Sequence, residues 1–219
     1  MNWVEPFGIE CCIVNRVTSP FVEGPTVDQQ LDRELILQLQ AGDLEALGVL
    51  YDRHRHLVYR TALAITGDSE MASDLLQEVF LRLFRFAERI DPERPIQPWL
   101  YRMTTNLSYT WVKRRTRWLR FIQDMADRVI LDKKPSPHLM AERDEGWRWI
   151  QQAITSLPIQ QRVVVVLYYI NDLSLQEIGE ILDIPVGTVK SRLYYARTAL
   201  KKQLGIHREA LLKVYYETT

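Results

Sequence analysis

The sequence predicts an all-α fold of two small helical bundles joined by a linker, the C-terminal bundle containing a helix-turn-helix. From Asp28 onward, apolar residues recur at spacings of three and four, which places them on one face of a helix. The four valines at 163–166 could form a buried strand, but they lie inside a longer apolar pattern without a partner strand nearby, so we interpret them as a buried helix. A chain of 219 residues with 47% hydrophobic residues is long enough for two small domains.

The N-terminal bundle is predicted to span residues 28–120. Residues 1–27, which contain five Pro and Gly residues, are predicted to be an irregular N-terminal extension. Four helices follow, at about 28–39, 44–66, 70–89 and 98–120, with Gly42 and Gly67 ending the first two. Pro92, Pro95 and Pro98 impose a stiff loop before the fourth helix, because each proline fixes φ. The third helix has an apolar face formed by Leu75, Leu76, Val79, Phe80, Leu83 and Phe84.

A linker is predicted at residues 121–144, centred on the Lys-Lys-Pro-Ser-Pro segment at 133–137. The C-terminal bundle is predicted to span residues 145–212. Within it, Leu157-Pro158 separates a helix that ends near Thr155 from a helix that starts at Pro158, where proline suits the first turn.

The strongest local signal is a helix-turn-helix at residues 174–200. Ser174 and Glu177 form a capping box at the start of a short helix, Asp183 tolerates a left-handed turn, and Pro185 permits a new helix to begin. The second helix has an inner apolar face formed by Val189, Leu193, Ala196 and Leu200. Such a helix can enter the major groove of DNA. An ordinary αα-hairpin with a charged outer face is the alternative, and the combination of cap, turn and basic helix disfavours it.

The net charge of zero is an average over opposing segments. Residues 96–120 contain six Lys and Arg and no acid, and residues 186–219 contain seven Lys and Arg against two acids. Two basic patches indicate contact with a polyanion at two places, and two solvated helix faces are the alternative. In the first patch, Trp99, Tyr101, Tyr109 and Trp111 alternate with the cations, a mixture suited to single-stranded nucleic acid.

Several other classes of protein are excluded. The four histidines are scattered and Cys11-Cys12 lacks metal-site spacing, so no metal is expected. No glycine-rich nucleotide motif is present, and no cofactor is expected. No apolar run approaches the roughly 20 residues that span a bilayer, and the N-terminus does not resemble a signal peptide. We therefore expect a cytoplasmic protein, and the adjacent cysteines fit a reducing compartment.

Three segments resemble one family, the bacterial extracytoplasmic-function (ECF) sigma factors of the sigma-70 family. Residues 74–84 are similar to region 2.2. Trp99-Leu-Tyr-Arg102 with Asn106, and then residues 113–115, are similar to regions 2.3 and 2.4. Residues 184–193 with Ala196-Arg197 resemble the signature of region 4. The resemblance implies a protein without catalytic activity that binds core RNA polymerase and directs it to promoter DNA. It also implies an anti-sigma factor as a further partner.

The resemblance assigns residues to three surfaces. Those for core polymerase are Asp74, Gln77, Glu78 and Arg82. Those for the −10 element are Trp99, Arg102, Asn106, Lys113, Arg114 and Arg115, although Trp99 could equally be a core residue. Those for the −35 element are Thr188, Lys190, Ser191, Arg192, Tyr194, Tyr195 and Arg197. Thr110 and Tyr195 depart from the residues that relatives often carry, which bears on promoter preference.

Two alternatives from other classes remain. An autonomous helix-turn-helix regulator would bind duplex DNA as a dimer, and an enzyme with an appended DNA-binding domain would need a catalytic constellation that the sequence does not offer. The aromatic and basic helix at 99–117 favours the sigma factor, because a protein that reads only duplex DNA has no need of stacking platforms.

Overall fold

The computed structural model describes the backbone of residues 27–126 and 145–217, and the side chains of residues 30–122 and 149–203. These residues form eight α-helices and no strand, which confirms the all-α prediction. The N-terminal bundle contains α1 (Val27–Gln40), α2 (Leu44–Thr66), α3 (Ser69–Arg85) and α4 (Gln97–Ala126), with a 3-10 turn at Ala87–Arg89. The C-terminal bundle contains α5 (Glu145–Ser156), α6 (Ile159–Val165), α7 (Leu175–Leu182) and α8 (Val186–Glu217), and a π turn at Val166–Ile170 continues α6.

The helix ends differ from the predicted ones at two places. The predicted third helix is divided into α3 and a separate 3-10 turn, and α4 continues past Arg120 because no Gly or Pro follows to end it before Ala126. Residues 1–26 of the predicted extension and residues 127–144 of the predicted linker lie outside the described part of the chain. Within that part, no helix is both long and apolar enough to cross a membrane.

Local capping fixes the ends of the N-terminal helices. The side chain of Asp43 accepts a hydrogen bond from the backbone N of Glu45 (2.9 Å), and that of Asp68 accepts one from Met71 N (3.1 Å). Between them Gly67 ends α2 with a φ of 70°, a left-handed conformation that glycine adopts without steric cost. The bundle closes over a core formed by Ile36, Leu50, Val58, Val79, Leu83, Ile96 and Leu100.

A buried ionic cluster joins α1 to α2. Asp32 is only 2% exposed, and its carboxylate accepts a hydrogen bond from Arg53 Nε (2.9 Å) and lies 3.0 Å from His54 Nε2. Burial raises the pKa of Asp32, but the hydrogen bonds and charges of His54 and Arg53 outweigh that effect and hold the pKa below its usual range. The carboxylate is therefore ionised in the folded protein at neutral pH.

The C-terminal bundle forms the predicted helix-turn-helix. Ser174 Oγ accepts a hydrogen bond from Glu177 N (3.2 Å) and Glu177 Oε2 accepts one from Ser174 N (2.7 Å), which completes the capping box. Asp183 ends α7 with a φ of 54°, and α8 begins directly after Pro185. The valines at 163–166 are 0–4% exposed and helical, as predicted.

The two bundles pack together over a shared apolar core. Ala64, Ile65 and Tyr101 of the N-terminal bundle belong to the same buried cluster as residues of α5–α8. The members from the C-terminal bundle include Ile154, Leu157, Val163, Val164, Leu167, Ile178, Val189 and Leu193. The bundles therefore form one body in this conformation.

A buried arginine lies where the bundles meet. Arg162, 8% exposed, donates hydrogen bonds to the carbonyl oxygens of Ile65 (2.7 Å), Leu157 (3.1 Å) and Thr155. These carbonyls lie at the C-terminal ends of α2 and α5, where helices lack internal donors and the helix dipole favours a cation. Burial lowers the pKa of Arg162 to about 10, so the guanidinium remains charged at neutral pH.

Candidate nucleic-acid and protein interfaces

The first turns of α8 present polar side chains to solvent. Val189, Leu193 and Ala196 are at most 3% exposed and fix the inner face of the helix. Of the residues that the resemblance assigns to the −35 element, Lys190, Ser191, Tyr194, Tyr195 and Arg197 are exposed, whereas Thr188 and Arg192 are half-buried. The first turns of a recognition helix contact base edges, so Lys190 and Ser191 are placed for that role.

Arg197, at the far end of this surface, is bonded to the π turn. Arg197 Nε donates a hydrogen bond to Tyr169 Oη (2.6 Å), and its guanidinium carbon lies 5.4 Å from the ring centroid of Tyr168. Tyr194 and Tyr195 stand next to each other with their ring centroids 5.6 Å apart and are 67% and 61% exposed. These contacts hold the Arg197 guanidinium against Tyr168 and Tyr169 of the π turn.

Helix α4 carries the residues assigned to the −10 element. Arg102, Asn106 and Lys113 are exposed and follow at spacings of four and seven, so they lie on one face of the helix. Trp99 is half-buried: part of its side chain packs against the N-terminal core, and the rest is accessible to solvent. Residues 113–122 are all exposed and contain five cations and no acid.

The cations of α4 point in different directions. Lys113 Nζ lies 4.7 Å from the ring centroid of Tyr109, and its hydrogen bond to the Tyr109 hydroxyl lowers the pKa of that phenol. Arg115 instead forms an ion pair with Asp68 (2.9 Å), the N-cap of α3, and stacks on Trp111 with its guanidinium carbon 4.9 Å from the ring centroid. Lys113 therefore belongs to the Arg102–Asn106 face, and Arg115 faces α3.

The residues assigned to polymerase contact lie on α3. Asp74 and Gln77 are exposed, and Arg82 Nε donates to Glu78 Oε1 (2.7 Å) in an ion pair one turn apart. Large apolar side chains that we did not assign flank this polar stripe: Leu81 (49% exposed), Phe84 (44%) and Phe86 (38%). Phe84, which the sequence analysis placed on the apolar face of the third helix, is exposed, whereas its neighbour Leu83 is 1% exposed and turned into the bundle. A mixed surface of this kind is typical of a protein–protein interface.

Comparison with known proteins identifies the family. The chain matches the family models for sigma-70 region 2 over residues 50–118 and for sigma-70 region 4 over residues 147–200. It is 35% identical over 189 residues to the ECF RNA polymerase sigma factor SigW of Bacillus subtilis, across 80% of this chain and 98% of that relative. The chain belongs to the ECF sigma factors of the sigma-70 family.

Solved sigma factor structures share the fold. CnrH in complex with the cytosolic domain of CnrY has a TM-score of 0.59 at 23% identity, covering 80% of this chain and 98% of that chain. The sigma factor RpoE of Bartonella quintana, in complex with the anti-sigma factor NepR, has a TM-score of 0.54 at 21% identity, covering 81% and 98%.

Regions 2 and 4 of this sigma factor face each other across a cleft. Arg102 of region 2 lies 3.8 Å from the carboxylate of Asp183 in the turn of region 4. Asn106 and Arg192, assigned to the −10 and −35 elements, line the same cleft. The other lining residues are Thr105, Tyr109, Gln160, Val163, Leu182 and Ile184. The structure therefore brings residues that the resemblance assigns to different DNA elements, Asn106 and Arg192, around one cleft.

Two residues at the junction of the regions were missed by the sequence analysis. Asn171 and Arg162 are buried polar residues that bond to α2 of region 2, 110 and 97 residues away from their partners Thr61 and Ile65. The sequence did contain one indication of this role: Arg162 directly precedes the apolar run 163–166, and a cation buried there requires hydrogen-bond partners. In the part of the chain that the structure describes, no cluster of His, Cys, Asp or Glu could hold a metal ion.

Proposed function

We propose that this ECF sigma factor binds core RNA polymerase and directs promoter-specific initiation, with region 2 at the −10 element and region 4 at the −35 element. The observation that carries the proposal is the presence in one chain of both sigma-70 regions, each exposing a basic surface. The protein supplies recognition, and the polymerase supplies all catalysis. It acts in the cytoplasm, where polymerase and chromosome are.

At the −35 element, we assign base reading to the start of α8. Lys190 and Ser191 lie in its first turns and can reach base edges, with Thr188 and Arg192 beside them. Tyr194, Tyr195 and Arg197 lie further along and contact the phosphate backbone, which positions the helix without carrying sequence information.

At the −10 element, we assign the single-stranded DNA to the exposed face of α4. Arg102, Asn106 and Lys113 share that face, and Tyr109 lies between them beside the Lys113 ammonium. Bases stack on aromatic rings while cations follow the phosphates, and this combination offsets the few kcal/mol that unstacking a base costs. Trp99 supplies a further ring at the start of α4, and Arg114 and Arg115 add phosphate contacts.

For core polymerase, we assign the α3 surface that contains Asp74, Gln77, Glu78 and Arg82. The exposed apolar residues Leu81 and Phe84 beside them supply the buried area that a polar stripe alone would lack. We also propose an anti-sigma factor as a partner, which is supported by the similarity of this fold to RpoE, whose structure contains the anti-sigma factor NepR.

The experiment measures promoter affinity of the reconstituted holoenzyme for Lys190→Ala on a preferred and a scrambled −35 sequence. Loss of a base contact should weaken binding by about 1–3 kcal/mol on the preferred sequence, equivalent to about fivefold to 150-fold, and little on the scrambled one. Lys201→Ala is the matched control, since it removes the same charge from an exposed position further along α8.

Equal losses on both sequences would mean that Lys190 only contacts phosphate. A gel-shift assay without core polymerase distinguishes a sigma factor from an autonomous helix-turn-helix regulator. Nanomolar sequence-specific binding of duplex DNA by the free chain would favour an autonomous dimeric regulator over a sigma factor.

A further inference from the structure

We propose that the cleft between regions 2 and 4 binds a small oxyanion of the phosphate type, held by Arg192, Tyr109 and Asn106. This adds a ligand other than DNA to two residues that the resemblance assigns to promoter elements. The site itself stands on the surroundings of these side chains, whereas its consequence for promoter binding rests on the proposed function.

The cleft offers hydrogen-bond donors and no carboxylate. Among its eight lining residues, Arg192 carries a guanidinium, Asn106 and Gln160 carry amides, and none is acidic. The nearest acid in the sequence of the lining segments is Asp183. Its side chain is 87% exposed, and its carboxylate lies 3.8 Å from the guanidinium of Arg102. A cleft with several donors and no acid attracts an anion.

The guanidinium of Arg192 lacks an anionic partner. Arg192 is half-buried, and in the part of the chain that the structure describes no hydrogen bond or ion pair involves its side chain. By contrast, Arg82 and Arg115 each pair with a carboxylate. A partly desolvated cation gains from an anion, and the planar fork of arginine matches two oxygens of a phosphate. Arg192 is therefore the anchor that we assign to the ligand.

Tyr109 adds a hydroxyl group in positive surroundings. A hydrogen bond from Lys113 lowers the pKa of Tyr109, and a hydrogen bond from Gln160 and the charge of Arg192 lower it further, against the opposing effect of burial. The hydroxyl oxygen accepts these bonds, so its own proton remains available to an oxygen of the ligand. Arg192 and Tyr109 thus line one cleft, the first as a cation and the second as a neutral donor.

The volume of the cleft limits the ligand to a small molecule. The volume is about 220 Å³, whereas pockets for drug-sized ligands measure about 300–1,000 Å³. Inorganic phosphate fits, as does the phosphoryl group of a small metabolite that extends into solvent past the exposed Asn106 and Gln160. Val163, Leu182 and Ile184 complete the lining with apolar side chains, which strengthen the attraction between an anion and the guanidinium.

The bound anion competes with promoter DNA. Arg192 and Asn106 belong to different regions, so a ligand held by both binds only while they line the same cleft. These two side chains are also the ones assigned to the −35 and −10 elements, and the anion occupies both. A ligand that binds one conformation shifts the population toward that conformation. The concentration of the anion therefore affects how readily the free chain binds DNA.

Isothermal titration calorimetry of the full chain with inorganic phosphate tests the site, in a phosphate-free buffer in which chloride keeps the ionic strength constant. Arg192→Gln removes the guanidinium, and Tyr109→Phe removes only the hydroxyl. Lys190→Gln is the matched control, because it removes one charge from an exposed position of the same helix, two residues away. Circular dichroism verifies that each variant is folded, and Tyr109→Phe decides the outcome if Arg192→Gln is unfolded.

We expect the wild type to bind one phosphate per chain. Arg192→Gln should weaken this binding about tenfold to 100-fold, as loss of a charge-assisted hydrogen bond implies, and Tyr109→Phe about twofold to tenfold. Lys190→Gln should bind phosphate as the wild type does. The proposal is wrong if the wild type binds no phosphate. It is also wrong if Lys190→Gln loses as much affinity as Arg192→Gln, since the anion would then respond only to net charge.

A second measurement tests the competition with DNA. Phosphate, compared with chloride at equal ionic strength, should weaken the binding of a fluorescein-labelled single-stranded oligonucleotide to the wild type but not to Arg192→Gln. An equal effect on both proteins would refute competition at this cleft. The proposed function is tested separately. If holoenzyme assembled with the wild-type chain initiates at no promoter, that function fails, whereas the calorimetry still decides whether the anion site exists.

Discussion

Replacing Arg162 should separate the stabilising and destabilising effects of a buried cation. The Arg162→Met variant keeps most of the side-chain volume and removes the donors to three carbonyl oxygens, those of Ile65, Leu157 and Thr155. A buried acceptor without a partner costs about 1–3 kcal/mol. The carbonyl oxygens of Ile65 and Leu157 are buried at these bonds, whereas Thr155 is half-buried and its carbonyl oxygen can be hydrated in part.

One effect opposes this loss. A buried guanidinium carries a desolvation cost, evident in its lowered pKa, and the variant recovers that cost. Nε of Arg162 has no hydrogen-bond partner among the described residues, so its removal is favourable as well. We expect a net loss of about 2–4 kcal/mol in the free energy of unfolding for Arg162→Met. For Arg162→Lys, which keeps the charge but lacks the planar fork that reaches both α2 and α5, we expect about 1–2 kcal/mol.

Urea unfolding followed by circular dichroism gives the free energies, with the slope against urea as a check that the unfolded state is unchanged. Because the two bundles share a core, wild type and variants should unfold in one transition. An Arg162→Met variant as stable as the wild type, within about 0.5 kcal/mol, would refute the argument that these carbonyls depend on the guanidinium.

Two further predictions concern stability. The pKa of Asp32 is lowered in the folded state, so its contribution to the free energy of unfolding is complete above the unfolded pKa of about 3.9 and is lost as the pH falls through the folded pKa. The Asp32→Asn variant should therefore be about 2 kcal/mol less stable at pH 7 and should lack this acid dependence. Urea unfolding at a series of pH values from 7 to 3 measures both effects. Gly67→Ala should lower the free energy of unfolding by about 1–2 kcal/mol, because Gly67 has a φ of +70° and a Cβ there would lie 2.6 Å from Thr155 Cγ2. Gly48→Ala is the control: Gly48 lies on a helix with open space around it, and the change should raise the free energy of unfolding by about 0.5–1 kcal/mol. Urea unfolding of both variants measures the two effects, and the same sign for both glycines would contradict the prediction.

The features that the sequence predicts correctly depend on near neighbours in the chain. The capping box of Ser174 and Glu177 and the left-handed Asp183 arise within a few residues, so local patterns are sufficient to place them. Phe84 belongs to the apolar pattern of α3 and is nevertheless exposed, because whether a side chain is covered depends on where the neighbouring helices lie. Periodicity carries no such information.

The packing of the two regions could not be predicted in this way. The bonds of Arg162 and Asn171 join residues about a hundred positions apart, and no local pattern links α2 to the π turn. The residues assigned to DNA and polymerase came from family resemblance, which indicates what each region contacts in a complex. It does not indicate how the regions of the unbound chain lie against each other, and that arrangement depends on the shared core.

The shared core limits how freely the regions can be exchanged. A chimaera that combines this region 2 with region 4 of another sigma factor would place new side chains against Ile65 and Tyr101. The incoming helices would have to match Ile154, Leu157 and Val163 in volume. Otherwise cavities or steric clashes in the shared core would destabilise the packed arrangement by about 1–3 kcal/mol. Transferring region 4 from a relative, to change promoter specificity, therefore requires transferring the matching apolar surface of region 2 as well.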